Sequence, residues 1–444
     1  MKGIVELLEE FGSASAKMQF SDSRNFVWLR TPNNKLQRET QRHTIMSRTR
    51  QGRAFYSHRP TCVDFCKGLW SAAENQPLTS LIVSGGASQG DADGQGCIYL
   101  SRVLPTSTTT LELRKDHWMS TPGGVTCLGS AATIGNTNQI DLFAVGTDTG
   151  NVCVVQVDKY NGQFLKTSNA NANANANADA NADANSTLNS TSSSSHVVAL
   201  ERQPSDQPCS ITAISVAKQG QEAVAVTDSG GVYFLESMYQ HLHSVVKFDV
   251  RENSALNDVA HLQESTSFVT AGASPVAQLK IWDPRVSTKD GNAVVAAFKD
   301  ENSSISYVSV APHPTDKHLV MTGTSDGYVC VWDIRQGQVK NRAKKHSGAV
   351  TGIAFGTPHS QHIYTTSSDG ESLHWDFKAH AMHNDTIVSY YDHEASVTKC
   401  KVTPLWETPP GVAVCANDVA VPSDGRADLV VVAYDDGALV VSDV

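Results

Sequence analysis

This chain lacks the short motifs that announce most enzymes. It has no GxxxxGK[ST] loop, no GxGxxG between a strand and a helix, and no GxSxG placed where it could work. A phosphate cradle, a dinucleotide fingerprint and a nucleophile elbow are all missing. The sixteen histidines include no pair at HExxH spacing. The nine cysteines include one close pair, Cys62 and Cys66, with no second pair or histidine at zinc spacing. No apolar run approaches the length of a membrane span, and the opening MKGIVELLEEFG lacks the apolar stretch of a secretory leader. These absences lead us to expect no catalytic residues, no metal, no cofactor, no small-molecule substrate and no membrane insertion. Reduced, buried thiols in a cytosolic or nuclear protein are the expectation for the cysteines.

Length alone, at 444 residues, would suggest two or three domains. All-β rings exceed that rule, so a single domain over 1–444 is equally natural. A hydrophobic fraction of 40% and seven tryptophans are enough for a substantial core. The net charge of −10 is unevenly placed. Segment 24–59 carries nine basic residues (Arg24, Arg30, Lys35, Arg38, Arg42, Arg48, Arg50, Arg53, Arg59) against Glu39 alone. The remainder is strongly acidic, so nucleic-acid binding is not expected of it. The basic segment reads as a solvated loop between early strands.

What the chain does have is repetition. MTGTSDGYVCVWDIR (Met321 to Arg335) and YTTSSDGESLHWDFK (Tyr364 to Lys378) are nearly the same phrase, 43 residues apart. In each, a small-polar strand runs into Ser-Asp-Gly and a second strand ends in Trp-Asp. A period of about 40–45 residues with that ending is the mark of a propeller blade. Weaker copies occur at Leu81 to Val103, Leu142 to Val157, Ala223 to Ser237, Phe268 to Arg285 and Leu429 to Val444. Each joins two apolar runs across Asp/Gly turn residues, a hairpin pattern. Seven units predict an all-β fold, a seven-bladed WD-repeat β-propeller. Met18 to Thr31 offers candidate strands to close the ring. Val5 to Phe11 reads alternatively as a short helix. Residues 168–196, an Asn-Ala alternation followed by Ser/Thr, have no apolar face to bury and read as a disordered insert between the second and third units.

Four polar residues around the sixth unit have the spacing of a structural side-chain chain: His346, Ser367 (or Thr366), Asp369 and Trp375. A buried indole N–H needs an acceptor, and an Asp can orient a His. A His-Asp-Ser set elsewhere would suggest hydrolysis, but this one recurs in place with the repeat. The repeat signature comprises Trp282, Asp283, Asp326, Trp332, Asp333, Asp376 and Asp436. Trp282-Asp283-Pro284-Arg285 and Trp332-Asp333-Ile334-Arg335 both read WDxR. In WD-repeat substrate receptors of cullin-type ubiquitin ligases such an Arg contacts the adaptor, which makes Arg285 and Arg335 candidates for that role.

The stretch from Gln278 to His380 resembles one family closely. LKIWD (Leu279 to Asp283), HP-x4-H-x3-TG-x2-DG (His313 to Gly327), WDIRQG (Trp332 to Gly337) and LHWDF, with His374 directly before Trp375, are similar to the nucleoporin forty-three family. Those proteins are WD-repeat subunits of the Y-shaped outer-ring scaffold of the nuclear pore. The resemblance implies a non-catalytic propeller docked on a helical-repeat nucleoporin of the Y-complex short arm. It implies support of pore assembly and of protein and mRNA transport, placement at the nuclear envelope, and kinetochores as a mitotic location. It assigns no partner-facing residue.

Overall fold

A computed structural model of the chain describes residues 51–56, 58–66, 80–88, 95–105, 111–131, 140–159, 161–165, 196–199, 209–217, 222–236, 244–248, 254–263, 265–286, 293–300, 305–356, 362–376, 401–406, 414–422 and 429–443. Among the described residues every regular element is a strand. The strands form seven antiparallel sheets in chain order, within 58–121, 125–199, 211–248, 256–298, 307–344, 350–404 and 416–443. These are blades one to seven. The first strand of each blade packs beside the first strand of the next, and that of blade seven returns to blade one. The chain is therefore a closed, seven-bladed β-propeller.

Period and burial explain the strands. The middle strands Leu319–Thr324 and Tyr328–Asp333 are buried almost throughout, because neighbouring blades cover both faces. Five of the hairpins between middle strands turn on glycines at positive φ: Gly150 at 77°, Gly230 at 85°, Gly327 at 90°, Gly370 at 86° and Gly437 at 89°. A side chain is strained there. At Gly327 a Cβ would also stand 2.1 Å from the His346 carbonyl oxygen.

Seven apolar clusters fill the seven spaces between consecutive blades. Trp282 packs toward blade three, Trp332 toward blade four and Trp375 toward blade five. Each tryptophan thus couples a blade to its predecessor, and emptying one such site costs about 3–5 kcal/mol.

The inner strands share a second device. Each carries a register shift near its start, at Pro60/Cys62, Val125/Cys127, Ile211/Ala213, Leu256/Asp258, Tyr307/Ser309, Val350/Gly352 and Ala416/Asp418. A bulge re-aims the extra residue. In six blades that residue is Thr or Asn, and it donates to the carbonyl just before the bulge on the next blade's inner strand. Thr61 reaches Val125 O at 2.5 Å, Thr126 Ile211 O at 2.6 Å and Thr212 Leu256 O at 2.6 Å. Asn257 reaches Tyr307 O at 2.7 Å, Thr351 Ala416 O at 2.5 Å and Asn417 Pro60 O at 2.7 Å. Blade five has Val308 there, and Ser309 serves instead, donating to Val350 O at 2.9 Å. A complete circle of seven side-chain hydrogen bonds results.

Closure differs from the sequence expectation. The fourth strand of blade seven is Gln51–Phe55, paired antiparallel with Ala438–Asp443. Residues 18–31, expected to supply it, lie outside the described residues, as does the helix candidate at 5–11. The closing strand comes from the end of the basic segment 24–59. That segment was expected to be loop, but it is strand at Gln51–Phe55 and enters the strand His58–Phe65; 24–50 is outside the described residues. Arg53 anchors the strand through Asp436 at 2.6 Å, and Gln51 donates to Leu405 O at 3.1 Å.

The low-complexity stretch interrupts the outer edge of blade two. Gln163–Phe164 and His196–Ala199 both pair with Asn151–Asp158, at its two ends. Residues 168–195 lie outside the described residues, and His196 opens the second of these strands.

Candidate functional site

In blade six, Trp375 on Ser372–Asp376 is paired with Ile363 on His362–Ser367. Its indole leans one pleat along that strand, and Nε1–H donates to Thr365 Oγ1 at 2.9 Å. Thr365 Oγ1 also lies 2.8 Å from His346 Nε2, and His346 Nδ1 stands 3.4 Å from Asp369 Oδ2. The hydroxyl between imidazole and indole is therefore Thr365, not Ser367 or Thr366. Ser367 instead serves the turn, its Oγ accepting the Asp369 N–H at 3.2 Å. Thr366 Oγ1 accepts from Thr351 at 3.1 Å.

One proton arrangement satisfies the chain. The indole donates to Thr365, the Thr365 hydroxyl donates to Nε2, and Nδ1–H faces the carboxylate. Burial holds the His346 imidazole below its ordinary pKa, against the pull of Asp369. Burial raises the Asp369 carboxyl, but N–H groups of Glu371 and Ser347 and the nearby His346 outweigh it, leaving Asp369 below the usual range. A neutral imidazole held between two fixed partners is structural support. His346, Asp369 and Glu371 hold ligand atoms within 4.8 Å of one another. Asp369 Oδ2 already accepts the Ser347 N–H at 2.7 Å, and Thr365 holds His346 by Nε2, leaving Nδ1 turned toward the carboxylate at 3.4 Å.

Blades four and five repeat the indole–hydroxyl pair without the His. Trp282 Nε1 donates to Thr270 at 2.9 Å and Trp332 Nε1 to Thr322 at 3.1 Å. Asp326 accepts the Thr324 hydroxyl at 2.6 Å inside its turn. Asp436 receives Arg53 and the Ala438 N–H at 2.9 Å. Asp376 ends its strand 3.9 Å from His362 Nδ1.

The WDxR arginines fold back on their own aspartates. Arg285 Nε and Nη2 donate to Asp283 at 2.9 and 2.8 Å; Arg335 does the same to Asp333 at 3.1 and 2.9 Å. These forks hold both carboxyls below the carboxylate range, with burial acting against them. Asp333 also receives Lys340 at 3.0 Å. The Arg285 and Arg335 side chains remain 69% and 53% exposed, so each presents a pre-oriented cation at its blade's surface.

Sequence reasoning missed two half-buried carboxylates on inner strands. Asp258 accepts the N–H of Val310 in the next blade at 2.7 Å, and Asp418 that of Val63 at 3.0 Å. Burial pushes both carboxyls up to about 7, against the hydrogen bonds they accept. The signal lay in the repeated Asn-Asp pairs, Asn257-Asp258 and Asn417-Asp418, at matching places in blades four and seven. Burial likewise pushes Cys127 and Cys153 up to about 12 and Cys62 and Cys66 well above the usual thiol value, which leaves these thiols unreactive.

The fold, the Trp-Asp endings and the repeated indole–hydroxyl pairs define a WD-repeat propeller. No family model matches the chain. It is 28% identical to human nucleoporin Nup43 over 173 residues, 39% of this chain and 42% of that protein. Against the mouse Nup43 the identity is 27% over 184 residues, 41% of this chain and 45% of the relative. Periodic tryptophan protein 2 of Arabidopsis thaliana is 26% identical over 203 residues, 45% of this chain and 20% of its own length. Each match spans less than half of the relative. The chain is thus a WD-repeat propeller similar to nucleoporin Nup43 over about two fifths of its length.

Proposed function

We propose that this protein is a non-catalytic scaffold subunit of the nuclear pore outer ring, the Y complex. Its propeller binds other outer-ring nucleoporins, with a helical-repeat subunit of the short arm as the direct partner. The observation that carries this reading is the similarity to Nup43 from two organisms, joined to a seven-sheet ring. The inward-facing polar groups support a structural role. In the circle of inter-blade bonds and in the blade-six chain, each hydroxyl, amide and imidazole is spent on a neighbour. The implied locations are the nuclear envelope and, in mitosis, kinetochores. Imaging of the fluorescently tagged protein tests this: a punctate nuclear rim is expected, and diffuse signal without a rim contradicts it.

The exposed arginines favour a second reading, a substrate receptor of a cullin-type ubiquitin ligase. The double variant Arg285→Ala, Arg335→Ala separates the two. The scaffold reading predicts unchanged partners with the ring folded; loss of a cullin adaptor from the wild-type partner set would favour the ligase.

A further inference from the structure

We propose that the outer edge of blade five, at Arg342, Lys344 and Lys345, is a docking strand for an acidic, extended segment of a partner protein. The inference goes beyond the scaffold and ligase readings and rests on neither. Segment 335–345, RQGQVKNRAKK, carries Arg335, Lys340, Arg342, Lys344 and Lys345 and no acid, in a chain of net charge −10. Other outer strands differ. Val294–Phe298 in blade four has no charged residue, and Lys401–Pro404 in blade six has one lysine. Leu111–Thr121 in blade one mixes its bases with Glu112 and Asp116.

The edge divides at a bulge. Gln338–Lys344 pairs with Tyr328–Asp333 and shifts register between Val331 and Trp332, which makes Lys340 the extra residue. A bulge re-aims its residue, and Lys340 Nζ meets Asp333 at 3.0 Å. Arg335 folds onto the same carboxylate. These two cations are held by the blade itself. Past the bulge the register is regular: Arg342 opposes Cys330, and Lys344 opposes Tyr328. Residues two apart share a face, so Arg342, Lys344 and Tyr328 lie together. The Tyr328 ring centroid is 5.6 Å from Arg342 Cζ and 5.3 Å from Lys344 Nζ. Arg342 also reaches Asp300. Lys344 and Lys345 are exposed. Five cations against Asp300 and Asp333 leave positive charge at the rim.

Two features choose the occupant. Among the described residues no further strand pairs with the outer side of Gln338–Lys344, and such an edge is a template for an added strand. A polypeptide supplies both N–H donors and C=O acceptors to that edge, whereas a phosphate backbone supplies acceptors alone. Charge is the second feature. Lysines on an edge oppose a second copy of that edge, because like charges would face each other. An acidic strand turns that repulsion into attraction, so the same residues admit one class of partner and exclude another. Acids at every second position of an extended chain recur at about 7 Å, the repeat that alternate residues such as Arg342 and Lys344 follow.

The test is fluorescence anisotropy of a labelled peptide of alternating Glu and Thr, titrated with the full-length protein at low salt. The comparison probes are the same peptide N-methylated at alternate backbone nitrogens, and a uridine oligonucleotide. The proposal expects binding of the Glu-Thr peptide that weakens at least about tenfold in the double variant Lys344→Glu, Lys345→Glu. Binding should also fall as salt rises, and the N-methylated peptide should bind more weakly. Thermal melts check folding; if the double reversal folds poorly, Lys344→Gln, Lys345→Gln takes its place. No binding to the wild type, or equal affinity in wild type and variant, would overturn the site. Equal affinity of the N-methylated peptide would overturn strand addition. Tighter binding of the oligonucleotide, lost in the same variant, would overturn the peptide assignment in favour of nucleic acid.

Discussion

Thr365 is the residue on which blade six turns, because its one hydroxyl serves both Trp375 and His346. Thr365→Val keeps the shape and strands a buried indole N–H and an imidazole nitrogen, so it should lower stability by about 1–3 kcal/mol. Ser367→Ala removes only a turn contact and should cost about 1 kcal/mol or less. Chemical denaturation of the two variants checks the order, and the reverse order would refute the assignment. Asp369→Ala leaves the Ser347 N–H without its acceptor and removes the carboxylate that His346 Nδ1 faces at 3.4 Å, with an expected cost of about 1–3 kcal/mol. The composition of the polar set was legible in the sequence, but its middle member was not. Thr365 and Ser367 share a face of one strand, so alternation cannot separate them; the register that sets Trp375 opposite Ile363 does. Asp258 and Asp418 add a pH dependence. Their folded-state pKa values, about 7, lie above the ordinary 3.8. The native state thus holds protons that the unfolded chain has released. Their stabilising contribution is complete below about pH 4 and lost as pH rises through about 7. His261, pushed down to about 4 by burial, works in the opposite direction. The wild type minus Asp258→Asn difference in stability isolates the carboxyl: it should fall between pH 4 and 7, and a flat difference would contradict the account.

At the scale of elements, the strand Gln51–Phe55 decides whether the ring is shut. It pairs along its whole length with Ala438–Asp443, an edge that would otherwise offer unpaired backbone to other chains. Deleting 51–55 should lower the melting temperature and bring on concentration-dependent aggregation, measured by calorimetry and light scattering. A melt identical to the wild type would show that closure lies elsewhere. Arg53→Ala alone should cost well under 1 kcal/mol, since its pair with Asp436 is partly exposed. The hairpins were readable because Asp/Gly turns and apolar runs are local signals. The closing strand was not readable, because its partner lies nearly four hundred residues away and QGRAF has little apolar character of its own. The bulged inner strands hid for a related reason. The pattern of an apolar residue followed by Thr or Asn is too short to notice, and it acquires meaning only once neighbouring blades are known to meet there.

For the whole molecule, seven blades, seven apolar clusters and seven inner hydrogen bonds describe one device. Each interface couples a blade to the next, and a repeat array of this kind is stable only when its neighbours are present. A ring closed in this way is held rigid by its own neighbours. The measurement that tests the scaffold reading most directly is gentle affinity purification of the tagged full-length protein, with partners identified by mass spectrometry. The account predicts near-stoichiometric recovery of outer-ring nucleoporins, including a helical-repeat subunit. Recovery of a cullin and its adaptor without nucleoporins would contradict it.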